Sequence, residues 1–485
     1  MRLRQTFVMR LPIHSDVNRQ ENVVQQNGRL RGLFTVCYAN MPSVFRKRRI
    51  VLKEKQVETL RALYDGKDCV SVLPTGYGKS VIFQLLPWFI QRKYNHSHPK
   101  TVLVISPLNS LMHDQVLGLR NKGVAACVGN ITGTHGMTYN LKEDIDDEVD
   151  AADEACALQS DVPFDKIERG DFVLIYAHPE TFIKTKFSKL IRSKSFQRKV
   201  CAIVIDEVHM VSEWGDDFRP AFGKLGELVC IFENAIHLAL TATATAKSVE
   251  NLSKVLNFDR PVVITLNVDR PNIYIEVRKR LPNIRKFDKL NNIITPIADE
   301  LREKRDVFPV TIMYVESLES LGYFFQFLTH NLSDISYNGD AVPQNRIFAQ
   351  FHKDYPASMK QVIIEELVKP NPKVRLVLAT MALGMGVNAP SVERVIHCRP
   401  PTTMEAYLQE MGRAGRLGQS AQAILFYNNS DIARNRKGLS EDMRKFCTHA
   451  GCYRRNLVNY FGFDSVLFDG DKNNCCSNCR STENQ

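Results

Sequence analysis

From residue 69 onward, short apolar runs alternate with longer stretches in which apolar residues recur every three or four positions. The runs at 70–73, 101–105, 172–176, 201–205 and 237–240 are continuously apolar and rich in β-branched residues. A strand with one wet face alternates, so a continuous run predicts a strand buried on both faces, as in a parallel sheet. Helical patterns at 80–91, 109–119 and 180–192 lie between the runs. That order predicts an α/β unit whose sheet is covered by helices on both sides. Further runs at 310–314, 375–379 and 394–397 predict a second such unit, with residues 281–304 as the connection into it. The acidic stretch 142–155 has no strand pattern and reads as a solvated surface insertion.

A chain of 485 residues exceeds one ordinary hydrophobic core and suggests two or three domains. With 44% hydrophobic and 24% charged residues it is ordinary globular material, which argues against a disordered chain. No uninterrupted apolar stretch approaches the length that spans a bilayer. The net charge of +11 favours a polyanionic partner without naming one. Arginine is concentrated in the first fifty residues, which end in Phe45-Arg46-Lys47-Arg48-Arg49 and read as a solvated basic arm, with a nuclear or mitochondrial address as the other readings. Seven of the 12 cysteines are scattered, mostly in apolar contexts, whereas Cys447, Cys452, Cys475, Cys476 and Cys479 crowd the C-terminal region. With no secretory signal, that crowding points to metal binding in a reducing compartment rather than to a disulfide framework.

Leu73-Pro74-Thr75-Gly76-Tyr77-Gly78-Lys79-Ser80 follows a predicted strand and opens a predicted helix, the context a phosphate-binding loop requires. Glycines let backbone N–H groups approach phosphate oxygens, and the helix N-terminus adds partial positive charge. Lys79 is placed to neutralise the β- and γ-phosphates of ATP, and the Ser80 hydroxyl to ligate Mg²⁺. Leu73 stands where the longer pattern has Gly, so the loop is the short G-x-G-K-S form. The run ending at residue 205 is followed by Asp206-Glu207-Val208-His209, two acids at the carboxyl end of a buried strand, where open α/β sheets bind ligands. Asp206 is assigned to Mg²⁺ and Glu207 to the attacking water. Far downstream, Gln409-Glu410-Met411-Gly412-Arg413-Ala414-Gly415-Arg416 sets two arginines three apart. Phosphoryl transfer needs charge stabilisation that appears only in the transition state, and Arg413 and Arg416 are candidates to supply it. If they act on the same nucleotide, hydrolysis requires the two units to close.

Together these residues resemble the superfamily 2 helicases, and the RecQ family in particular, from about residue 52 to residue 479. Leu52-Lys53-Glu54-Lys55-Gln56 resembles the family's adenine-recognition motif, which implies that Gln56 reads the base and Lys53 stacks near it. The stretch beginning Ser106-Pro107 is similar to a DNA-contacting motif, Thr241-Ala242-Thr243 to the motif that links hydrolysis to the track, and 379–388 to motif V. Asp269-Arg270-Pro271-Asn272-Ile273 resembles a family marker before the second lobe. Ser212-Glu213-Trp214-Gly215-Asp216-Asp217-Phe218-Arg219 resembles the aromatic-rich loop that senses DNA, in which Trp214 and Phe218 offer stacking faces and Arg219 a charge. The C-terminal Cys475-Cys476-Ser477-Asn478-Cys479 and residues 269–279 are similar to the Werner syndrome helicase type. In the family a cysteine shortly before a Tyr-Phe-Gly segment completes a zinc site. This implies Cys452, Cys475, Cys476 and Cys479 as ligands, with Cys447 and His449 as spares.

The resemblance implies two RecA-like parallel-sheet lobes and a small helical zinc subdomain. The expected divisions are a basic arm at 1–48, a first lobe at 49–268, a second at 269–430 and the zinc subdomain at 431–485. It implies an ATP- and Mg²⁺-dependent 3′–5′ helicase on single-stranded and tailed duplex DNA, working in repair and recombination, in the nucleus or otherwise the cytoplasm. The family's winged-helix, HRDC and exonuclease domains are not expected in this chain. An RNA helicase of the DEAH type and a non-processive strand-annealing protein are the alternatives. The sequence departs from the family at Tyr77 (usually Gly), Asp216 (usually His) and Leu417 (usually Asp), and 338–370 lacks the usual histidine-containing motif and looks longer.

Overall fold

The computed structural model describes residues 6–8, 51–107, 109–131, 158–160, 162–184, 186–209, 224–283, 286–380 and 389–483. The chain divides into two compact units, Met1–Leu266 and Asn267–Gln485. Among the described residues, no helix is long and apolar enough to cross a membrane.

A short antiparallel pair, β1 (Thr6–Val8) with β2 (Val51–Lys53), leads into the first unit. Its sheet is made of β3 (Cys69–Val72), β4 (Thr101–Ile105), β5 (Ala126–Ile131), β6 (Leu158–Ser160), β7 (Leu174–Ala177), β8 (Val200–Ile205), β9 (Ile236–Thr241) and β10 (Val262–Thr265). Their order across the sheet is β10-β3-β9-β8-β4-β7-β5-β6, parallel throughout except for β5 with β6. Every position of β3, β4, β8 and β9 is buried, which is why these strands read as continuous apolar runs. Helix Lys79–Lys93 is buried at each residue from Ile82 to Ile90, so it lies inside the core and not on its surface. The helical pattern at 180–192 becomes two helices, Pro179–Lys184 and Lys186–Arg192. Because β3, β9 and β8 are neighbours, the loops leaving their carboxyl ends emerge side by side.

The second unit holds a six-stranded, fully parallel sheet in the order β11-β16-β15-β12-β14-β13. These strands are Ile273–Lys279 (β11), Thr311–Tyr314 (β12), Phe348–Phe351 (β13), Leu376–Ala379 (β14), Arg394–His397 (β15) and Ala421–Tyr427 (β16). Ile312, Val377, Val395 and Ala423 face one apolar layer, and Met313, Leu378, Ile396 and Ile424 face the other. The first layer also holds Phe446, Tyr453, Leu457, Cys475 and Cys476, so the C-terminal segment shares the core of this unit. Residues 338–370, the stretch without the family's usual motif, contain β13 and helix Ala357–Val368.

The reading of residues 281–304 as a connection is corrected. Lys286–Lys304 is a 19-residue helix, and Leu290, Ile293, Ile294, Ile297 and Leu301 form a stripe buried in the second apolar layer. The helix is also fixed electrostatically: Glu300 receives Arg394 Nη1 at 2.7 Å and Nη2 at 2.8 Å, with Lys304 Nζ at 2.8 Å. The Arg394 hydrogen bonds, with Lys304 assisting, hold the Glu300 carboxyl well below the usual range, at about 2. A carboxyl lowered on folding stabilises above its unfolded value, near pH 4.5, and loses that contribution as pH falls through its folded value. Glu300→Gln is therefore expected to cost about 1–3 kcal/mol at pH 7. The gap from wild type should close as pH falls from about 4.5 towards 2, which parallel denaturant titrations across that range would test.

Candidate active site

The loop 73–80 is shaped by two left-handed glycines, Gly76 at φ +80° and Gly78 at φ +89°. Gly78 caps helix Lys79–Lys93, and a Cβ on it would lie 2.7 Å from Gln56 Nε2. Successive backbone N–H groups in such a turn form an anion-binding concavity in front of a helix N-terminus. Lys79 Nζ donates to Leu73 O at 3.3 Å, folding back over the loop. Gln56 is buried and holds the loop from behind: its Nε2 donates to Tyr77 O (3.0 Å) and Gly78 O (2.9 Å), and its Oε1 accepts from Lys53 N (2.8 Å). The Tyr77 departure has a local explanation. Its hydroxyl accepts from Lys55 N at 3.2 Å, and the Lys53 ammonium sits 4.6 Å from its ring centroid and donates to Gly76 O at 3.4 Å. The extra ring thus ties the loop to the Lys53–Gln56 segment.

Asp206 and Glu207 leave the end of β8 beside this loop. Asp206 is buried, and burial pushes its carboxyl up to about 7, with Glu207 adding to the rise and Lys79 opposing it. Glu207 adopts φ +51°, a left-handed conformation for a residue with a side chain, and its N–H donates to Asp206 Oδ1 at 3.0 Å. Strain of that kind is concentrated where the geometry of a site requires it. His209 Nδ1 lies 3.5 Å from Glu207 Oε2 and 3.1 Å from Thr241 Oγ1, which in turn donates to Thr243 O at 3.0 Å. Leu73 N donates to Thr241 O at 2.9 Å, which closes the circuit from the loop through β9 to the acids. At the end of β4, the Ser106 hydroxyl is buried with no hydrogen-bond partner among the described residues. Trp214, Phe218, Arg219 and Asp216, residues 381–388 of the motif V stretch, and the acidic stretch 142–155 lie outside the described residues.

In the second unit, helix Met404–Met411 carries Gln409 and runs into the loop that bears Arg413 and Arg416. Arg413 is buried and Arg416 is partly exposed. Glu410 meets His397 Nε2 at 2.8 Å, and the His397 ring stacks on Tyr314 with centroids 5.2 Å apart at 17°. Burial raises the Tyr314 hydroxyl, while the adjacent Arg413 and Arg416 guanidiniums pull it down. Leu417, the departure after the arginines, is exposed.

The thiols of Cys452, Cys475, Cys476 and Cys479 lie within 4.8 Å of one another, with Cys452 Sγ 3.6 Å from Cys475 Sγ and 3.9 Å from Cys476 Sγ. A tetrahedral ion with metal–sulfur bonds of about 2.3 Å needs sulfurs roughly 3.8 Å apart, so the set fits such an ion. The hydrogen-bonding contact with Cys452 lowers the Cys476 thiol, which favours the thiolate a metal requires. Cys447 is not in the group: it is buried among apolar side chains, and burial pushes it up to about 12. His449 is likewise not among the four.

The DEAD/DEAH box helicase family matches residues 53–252, and the helicase conserved C-terminal domain matches 286–418. ATP-dependent DNA helicase Q-like 2 of Arabidopsis thaliana is 31% identical over 441 residues, covering 88% of this chain and 55% of that protein. ATP-dependent DNA helicase Q1 of Rattus norvegicus is 31% identical over 444 residues, covering 87% of this chain and 62% of that one. The chain belongs to the RecQ helicase family. It spans little more than half the length of these RecQ relatives. Mycobacterium smegmatis helicase Lhr bound to ssDNA and AMP-PNP superposes with a TM-score of 0.57 at 18% identity, covering 92% of this chain and 52% of that one. That likeness concerns the fold alone: two RecA-like parallel-sheet lobes.

Within this RecQ chain, Lys53 and Gln56 bond the backbone of the 73–80 loop, and Lys79 of that loop lies near Asp206 and Glu207. Four functional features escaped the sequence reading: the Tyr77 hydroxyl, the His209–Thr241 link, the His397–Glu410 pair and the partners of Asp269 and Arg270. A histidine at the end of an apolar strand (His397) and another three residues after Asp206 (His209) were the available signals.

Proposed function

We propose that this chain is an ATP-driven DNA helicase that moves 3′ to 5′ along single-stranded DNA and unwinds tailed duplexes. The observation that carries the reading is the closed circuit from the phosphate-type loop through Thr241 to Asp206 and Glu207. In this reading, Thr75, Gly76, Gly78 and Lys79 hold the triphosphate, Gln56 and Lys53 take the adenine end, and Ser80 with Asp206 holds Mg²⁺. Glu207 draws a proton from the attacking water, and Gln409, Arg413 and Arg416 answer the charge that grows on the γ-phosphate. Held by Ser80 and Asp206, Mg²⁺ would supply charge neutralisation for the phosphates. Thr241, hydrogen-bonded to the acids' neighbour His209, and Thr243, hydrogen-bonded to Thr241, pass the state of the nucleotide towards Ser106, Pro107, Trp214, Phe218 and Arg219, the proposed nucleic-acid contacts. Cys452, Cys475, Cys476 and Cys479 take zinc, which in such sites stabilises the fold and does no chemistry. Nuclear work in repair and recombination, and the division into lobes at 49–268 and 269–430 with a zinc segment at 431–485, belong to the same proposal.

The test is ATP hydrolysis and strand displacement on duplexes with 3′ or 5′ tails, made of DNA or RNA. Stimulation by single-stranded DNA and displacement from a 3′ DNA tail are expected. Stimulation by RNA alone, or pairing of strands without ATP, would replace the reading with one of the two alternatives. Gln56→Ala removes the prop behind the loop and is expected to raise the KM for ATP about tenfold, the loss of one or two hydrogen bonds. Because Gln56 touches no reacting atom, kcat should fall far less, and steady-state kinetics at saturating DNA would show the split.

A further inference from the structure

The segment that opens the second unit joins two pieces of chain that the sequence gives no reason to connect. The Arg270 guanidinium donates to Gly412 O (3.3 Å), Ala414 O (3.1 Å) and Gly415 O (2.8 Å). Asn272 Nδ2 adds Gly415 O (2.9 Å) and Gln419 O (2.8 Å). These carbonyls belong to the loop that carries Arg413 and Arg416. The loop is tight: Gly415 sits at φ +63°, and a Cβ on it would lie 2.3 Å from Asn272 Nδ2 and 3.0 Å from Gln419 O. The partners of Arg270 are neutral carbonyls, and burial lowers its pKa. Arg270 is half-buried, and with Asn272 it places five hydrogen bonds on the carbonyls of this loop, which fix the backbone path between Gly412 and Gln419.

On the other side, the fully buried Arg454 donates from Nη1 to Asp269 Oδ1 (2.7 Å) and Arg270 O (2.9 Å), and from Nη2 to Ile273 O and to Cys475 O (3.2 Å). Asp269 Oδ2 accepts from Leu467 N (2.6 Å) and Phe468 N (3.0 Å), and the Arg454 guanidinium covers the Phe468 ring at 4.8 Å. Hydrogen bonds therefore run without a break from the backbone of the cysteine cluster, through Arg454, to the Asp269–Arg270 segment and on to the arginine loop.

We propose that Arg270 is a positioning residue for Arg413 and Arg416, and that Arg454 and Asp269 tie it to the cysteine-bearing segment, so that this segment sets the rate of ATP hydrolysis. The inference rests on the ATPase reading above. Its physical basis is that a transition-state cation must be held within about 0.5 Å, and a misplacement of about 1 Å costs roughly a hundredfold in rate.

The test compares wild type, Arg270→Lys and Arg454→Lys in the full chain. Amide hydrogen exchange is followed across residues 409–418 without nucleotide, and ATPase kinetics are measured at saturating single-stranded DNA. Lysine keeps the charge but cannot span the fork of acceptors. Both variants are expected to speed exchange in 409–418 while leaving helix Lys79–Lys93 as in wild type. kcat should fall roughly 10–100-fold, and the KM for ATP should stay within about threefold. Millimolar guanidinium should restore part of kcat to Arg270→Ala. Unchanged exchange in 409–418 overturns the proposal, as does a rate loss matched by faster exchange throughout the second unit. An Arg454→Lys chain that behaves as wild type overturns the link to the cysteine segment. A wild-type chain without ATPase defeats the function proposed above, while the exchange measurements still decide whether the strut holds the loop.

Discussion

A Lys79→Ala chain is expected to hydrolyse ATP at least about 10³-fold more slowly than wild type at saturating DNA, and to melt within a few degrees of it. The two halves of this result have separate causes. The lysine is the first residue of its helix and its ammonium rests on a single loop carbonyl, Leu73 O, at 3.3 Å. Removing one long hydrogen bond at a half-buried position costs at most about 1 kcal/mol, and alanine is the best helix former to put in its place. In the rate, the loss is compound. The substitution deletes the positive charge assigned to the transferring phosphoryl group, and it also deletes the one cation that pulls the Asp206 carboxyl down against burial and Glu207. Asp206 therefore rises further in the variant and is less available as the anion that Mg²⁺ needs. ATPase rate, DNA affinity and thermal melting measured on the same preparation check the prediction. A Lys79→Ala chain that keeps its DNA-stimulated rate removes the active site from this loop. One that loses its rate only because it fails to fold would show in the melting curve.

How much of this was legible in the sequence depended on how far apart the partners lie. The loop 73–80 and the Asp206-Glu207 pair could be read because their context is local: each follows an apolar strand, and each needs only the residues beside it. Five strands of the first sheet, β3, β4, β7, β8 and β9, were legible for the same reason, since burial on both faces leaves an unbroken apolar run, whereas β5, β6 and the half-exposed β10 were not read. In the second sheet the two end strands, β11 and β13, and the neighbouring β16 were not read. In β11 (IYIEVRK) apolar and polar residues alternate, and its polar positions Glu276 and Arg278 pair with each other. Helix Lys286–Lys304 was misread as a connection because Pro296 interrupts it and charged residues flank it, although its apolar residues keep helical spacing. The strut was out of reach for a different reason. Asp269 and Arg454 are 185 residues apart, and nothing in either neighbourhood signals the other. Cys447 shows the converse error: proximity in sequence made it a spare ligand, while its surroundings make it a core residue.

That contrast sets up the prediction with the largest effect on stability. The chain is expected to carry about one zinc ion per molecule, and Cys476→Ser to lose both the metal and at least about 4 kcal/mol of second-unit stability, roughly 8–16 °C in melting temperature. The size follows from where the ligands sit. Cys475 and Cys476 are buried in the same apolar layer as Ile273, Ile275 and Tyr453, and Ile275 N donates to Cys475 O at 3.4 Å, so the cysteine-bearing turn is docked along the edge of β11. Without an ion, the four sulfurs within 4.8 Å of one another lack the metal–sulfur bonds that would cross-link Cys452 to the Cys475–Cys479 turn. In a site of this kind the metal-binding free energy is folding free energy, so the turn is expected to open when the metal is lost. Cys447→Ala is the control. It removes an equally buried thiol from the same layer, should cost only about 1 kcal/mol as a small core truncation, and should leave zinc content unchanged. Metal analysis and melting of the two variants side by side give the answer. Equal zinc in both, or none in wild type, would show that the four-cysteine geometry is packing and not a metal site.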